Sequence, residues 1–125
     1  MTIDEAVTGF DLLYPNAMSY EQKLGLLSRL DKRIYTEVYA KYEGDIPESF
    51  RGYTRLTPVS TALLVPFPQD DIYAKYLAMQ YDLLNGDISR YNNSARVFNA
   101  AYAELCDAYN RTHKWKKTVR AGDIV

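Results

Sequence analysis

The chain has 125 residues, 47% of them hydrophobic and 25% charged, with a formal net charge of −1. That length fits one globular domain, and so small a net charge excludes a global field that would drive binding to nucleic acid or membrane. A lone Cys106 excludes an internal disulfide and any multi-cysteine metal centre.

The opening Met1-Thr2-Ile3-Asp4-Glu5 is acidic and lacks the basic and apolar regions of a secretion signal. No apolar run approaches the ~18 residues that span a bilayer, and the single cysteine suits a reducing cytoplasm, the expected compartment. Thr2 and Glu5 form a capping-box pair, which predicts a first helix over 3–13 that ends at Tyr14-Pro15-Asn16.

Ser19 with Gln22 repeats that signature and opens a second helix, expected over 19–41. Leu24, Leu27, Leu30, Ile34 and Val38 step by three or four residues and define its apolar stripe. Glu21, Asp31, Lys32 and Glu37 are read as lying off that stripe.

From Glu43 to Pro68 the helical period is lost amid Gly44, Pro47, Gly52 and Pro58. This stretch reads as a long loop or short β-hairpin, with Thr61–Val65 as a brief strand stopped by Pro66-Phe67-Pro68. A third helix is expected over 70–85, capped by Asp70 or Asp71 and ended by Asn85-Gly86. Asp87 caps a fourth, over 87–111, in which Ile88, Tyr91, Ala95, Phe98, Tyr102, Leu105 and Tyr109 form a heptad seam about 33 Å long. The seam reads as the inner face of a bundle or as a coiled coil with another subunit. Packing against the second-helix stripe would bury Leu27, Leu30, Ile34, Leu77, Phe98, Tyr102 and Leu105.

The fold class is thus mostly α: a four-helix, bundle-like domain over 1–112 with a basic C-terminal tail over 113–125. Residues 1–110 carry ten basic and fifteen acidic groups, whereas residues 111–125 carry five basic and one acidic. The tail has three readings: a solvated end, a segment docking on an acidic neighbouring subunit, and a strip touching DNA phosphates.

Chemistry-bearing patterns are missing. His113 is the only histidine and has no Cys, Asp or Glu beside it that would complete a metal site. No glycine-rich phosphate cradle occurs, and Cys106 reads as a packed small hydrophobe. Neither an enzyme nor a cofactor is expected. Instead, twelve tyrosines against four phenylalanines suit half-buried and interface positions.

From Leu63 to Arg111 the sequence carries Leu64-Val65-Pro66, Asp71-Ile72-Tyr73, Tyr76-Leu77, Tyr81 and Asn85-Gly86-Asp87. Arg90-Tyr91-Asn92-Asn93, Phe98-Asn99, Tyr102 and Tyr109-Asn110-Arg111 follow. With Tyr14-Pro15-Asn16 and Leu27-Ser28-Arg29-Leu30-Asp31, this cadence resembles the head–tail connector (adaptor) proteins of tailed phages and prophages of Gram-positive bacteria. The resemblance implies a helical structural protein of the virion head–tail interface. It would self-associate into a ring beneath the portal and extend the DNA channel toward the tail-proximal head-completion proteins. No residue role carries over.

The segments expected to contact other subunits are the loop and the tail, through Phe50, Tyr53, Leu56, Phe67, Lys114, Trp115, Lys116, Lys117, Val119 and Arg120. DNA contact through the tail is expected to be weak and non-specific. The alternative is a small helical DNA-binding or DNA-packaging accessory protein that uses the tail.

Overall fold

The computed structural model describes residues 1–44 and 49–116. Its helices are α1 (Ile3–Leu13), α2 (Tyr20–Glu37), α3 (Ile72–Leu84) and α4 (Ile88–Thr112), with 3-10 turns at Tyr39–Lys41 and Gln69–Asp71. The mostly helical, bundle-like class is therefore present.

Both capping boxes form. Glu5 N–H donates to Thr2 Oγ1 at 3.1 Å and Thr2 N–H to Glu5 Oε1 at 3.0 Å. Gln22 N–H and Ser19 N–H make the equivalent bonds at 3.1 and 2.8 Å. Each pair satisfies two donors that a helix start leaves open. At the α3–α4 junction Gly86 takes φ +70°, and Asp87 then accepts from Arg90 N–H at 3.0 Å.

Asp71 stands at the N-cap position of α3, but neither its carboxylate nor that of Asp70 makes a capping hydrogen bond. The Gln69–Asp71 turn supplies its start, Asp71 accepts from Lys75 Nζ at 2.8 Å, and Asp70 faces the N-terminal ammonium at 3.8 Å. The second helix also stops earlier than expected. After Glu37 the chain tightens into Tyr39–Lys41, which turns Tyr39 and Tyr42 inward.

α4 lies closest to α3, its hairpin partner, and not to α2. It meets α2 through long side chains: Arg33 sits 4.3 Å from the Tyr102 ring centroid, and Tyr102 Oη donates to Glu37 Oε1 at 2.6 Å. Phe98 and Leu105 are buried, but Tyr102 is half-buried because its hydroxyl reaches that exposed carboxylate. Hydrogen bonds from Tyr102 and Arg33 hold the Glu37 carboxyl below its ordinary range.

The largest departure is Asp31, which is fully buried. It accepts from Tyr73 Oη at 2.7 Å, Tyr53 Oη at 2.5 Å and Leu64 N–H at 3.1 Å. Burial pushes its carboxyl above the ordinary range, against the pull of those three donors. The hub ties α2 and α3 to the connecting segment, so that segment is partly core: Leu63 and Val65 are buried. Thr61–Val65 is not a strand. Among the described residues, β pairing consists of isolated antiparallel bridges, Thr2 with Ala62 and Tyr42 with Trp115.

Candidate interaction surfaces

The connecting segment places its four expected contact residues in two groups. Phe50 and Tyr53 face inward: Phe50 packs near Tyr35 and edge-on to Tyr53, and Tyr53 N–H donates to Ser28 Oγ at 2.9 Å. Gly52 makes this approach possible, since it has φ +91° and a Cβ there would collide with Ser28 Oγ. Leu56 and Phe67 face outward and are 92% and 84% exposed. Leu56 stands on a turn closed by Thr57 N–H to the Thr54 carbonyl at 2.9 Å.

The start of the tail folds back on the body. Glu43 N–H donates to the Lys114 carbonyl at 2.7 Å, and Lys116 N–H to the Lys41 carbonyl at 3.1 Å. Trp115 lies 4.8 Å from the Tyr42 ring and donates through Nε1 to Asn110 Oδ1 at 3.1 Å. Beneath it, Tyr39, Tyr109 and His113 stack face to face, at 4.5 and 3.7 Å between centroids. Lys114 is exposed and Lys116 half-buried, while Lys117, Val119 and Arg120 lie outside the described residues.

A third surface was not anticipated. Leu83 and Leu84 end α3 on the face that period assigns inward, yet they are 53% and 63% exposed. Opposite them α2 presents Gln22 and Gly25, which supply little bulk, and nothing lies within 4 Å of a Cβ built on Gly25. The result is an open groove of about 540 Å³ floored by Met18, Leu26, Leu83 and Leu84, with Glu21 and Arg29 among its lining residues. Past the turn, Ile88 is 74% exposed, so the first step of the heptad seam also faces outward. The only sequence clue was the pairing of leucines on one helix with a glycine on the other.

Among the described residues no group of three or more His, Cys, Asp or Glu is placed to hold a metal ion. Burial pushes the Cys106 thiol up, away from the thiolate a nucleophile needs. No described helix is long and apolar enough to cross a membrane.

Comparison of the chain with protein-family models, curated proteins and solved structures returns no match.

Proposed function

We propose that this chain is a phage structural protein that joins the portal of the head to the tail as one subunit of a ring-shaped connector. It acts by protein–protein contacts, without catalysis or cofactor, at the virion head–tail interface after assembly in the host cytoplasm. Its partners are copies of itself, the portal protein and the tail-proximal head-completion proteins. The observation that carries the reading is the exposed aliphatic strip of Leu83, Leu84 and Ile88 beside an open groove. Contiguous apolar surface of this kind marks a docking site. The resemblance running from Leu63 to Arg111 supplies the specific assignment.

The test is a Leu83→Ser/Leu84→Ser/Ile88→Ser variant, assembled with portal-bearing heads and scored for tail attachment. All three side chains are largely solvated, so folding should survive. Joining should fall at least about tenfold, the equivalent of 1.4 kcal/mol in contact energy. Unimpaired joining by the folded variant overturns the proposal.

The second reading, a DNA-binding or packaging accessory protein, draws on Lys114 and Lys116, held beside Lys41 by the backbone pairing. Gene neighbourhood separates the two. Portal and capsid genes upstream with tail genes downstream favour the connector.

A further inference from the structure

Docking of the connecting segment assembles a basic face that no local run of sequence displays. Lys32 Nζ donates to the Phe50 carbonyl at 2.9 Å, which sets its ammonium next to Arg51. Arg29 lies one helical turn before Lys32 on α2, and Arg55 is carried on the Thr54–Thr57 turn. The ion pairs among the described residues involve Met1, Lys23, Arg33, Lys75 and Arg90, so Arg29, Lys32, Arg51 and Arg55 have no carboxylate partner among the described residues. Residues 1–110 are acidic in sum, and this face runs against that sum.

We propose that Arg29, Lys32, Arg51 and Arg55 bind the phosphate backbone of double-stranded DNA. Two features favour phosphates over an acidic protein. The charges are spread over a helix and a loop, which suits repeated anions along a polymer better than one carboxylate. Beside the cations stand the Thr54 and Thr57 side chains and exposed peptide groups, the usual companions of phosphate contacts, while the Phe50 and Tyr53 rings are turned half inward against each other. The loop is also pre-organised, because Tyr53 and Gly52 are seated against Asp31 and Ser28. A seated cation loses less freedom on binding than one on a free tail. This face goes beyond the connector reading. Only its placement toward the DNA channel rests on that reading.

The test uses the full-length chain, free of heads, titrated into fluorescently labelled duplex DNA over a range of salt. Affinity should fall steeply as salt rises, with a log–log slope that contains about 0.9 per phosphate contact. Arg51→Gln/Arg55→Gln should flatten that slope by about 2 and weaken low-salt binding about tenfold. Arg29→Gln, on the α2 edge of the same face where it meets the groove, should flatten it by about 1. A Lys117→Gln/Arg120→Gln control should leave the difference between Arg51/Arg55 variant and parent intact. Coincident isotherms for the parent and both arginine variants overturn the proposal, as does the absence of salt-sensitive binding. Tighter binding to polyglutamate than to duplex at equal salt overturns it in favour of an acidic protein. Head–tail joining is not read here, so failure of this proposal is distinct from failure of the connector reading.

Discussion

The Tyr73 hydroxyl bridges helix and loop: it donates to Asp31 Oδ1 at 2.7 Å and accepts from Val65 N–H at 2.8 Å. The Tyr53 hydroxyl reaches the other carboxylate oxygen from a half-buried position and makes that one bond. The two tyrosines should therefore differ in cost. Tyr73→Phe strands a buried N–H and removes a donor to Asp31, and should destabilise the fold by about 2–3 kcal/mol in urea unfolding. Tyr53→Phe should cost about 1 kcal/mol. Equal costs would mean that the Val65 bond contributes nothing.

Acidity should act on this hub in a definite direction. Burial raises the Asp31 carboxyl above 3.8 in the folded chain, so the folded state takes up a proton more readily than the unfolded one. Its contribution to stability is complete below the unfolded carboxylate range and is lost as pH rises through the folded value. Asp11 and Glu37 are shifted the other way, Asp11 by Asn16 and then Lys23, and Glu37 by Tyr102 and then Arg33. Their contributions are lost as pH falls through their folded values, below the ordinary carboxylate range. Melting temperatures of parent and Asp31→Asn, compared from neutral pH down to the carboxylate range, should separate in the parent's favour on acidification. A parent-minus-variant difference that stays constant or falls on acidification contradicts the assignment.

Two glycine substitutions should have opposite signs. Gly52→Ala meets both a left-handed φ and the Ser28 hydroxyl, and should cost more than about 1 kcal/mol. Gly25→Ala adds a methyl to open space within α2 and should stabilise by roughly 0.5–1 kcal/mol. Thermal unfolding of both variants decides it, and destabilisation by Gly25→Ala would show that the groove is closed in solution.

Trp115 is the sole tryptophan, so its emission reports the docking of the tail. Tyr42→Ala removes the ring it leans on and should shift emission to the red and lower its anisotropy. Emission already at the fully solvated wavelength in the parent would contradict the contact.

The starts of α1, α2 and α4 were legible because their capping residues and the Asn85-Gly86-Asp87 stop are local chemistry, whereas α3 begins from a 3-10 turn that the Asp70-Asp71 pair does not announce. Asp31 was misread by residue type. Leu24, Leu27, Asp31, Ile34 and Val38 alternate steps of three and four, so position 31 lies on the buried stripe by spacing. A carboxylate is sent to solvent by default, and its partners stand 22, 33 and 42 residues away. The same separation hid the burial of Leu63 and Val65 and the gathering of Arg51 beside Lys32. Leu83 and Leu84 continue the apolar face of α3 that buries Ile72, Tyr73, Tyr76 and Leu77. They obey the period, but the opposing glycine leaves them uncovered.

The hub also sets an order in time. α3 and α4 are joined by the three residues between Leu84 and Ile88, so their pairing requires almost no search of chain conformations. Closing Asp31 onto Tyr73 means encircling more than forty residues, glycines and prolines included. The α3–α4 hairpin is thus available as an early nucleus, and seating of the connecting segment, which closes the longer loop, is the step expected to follow it. During synthesis the part that completes the hub leaves the ribosome before α4. Asp31, Tyr53, Leu64 and Tyr73 all precede α4 in the chain, so every partner of the hub has been made before that helix emerges.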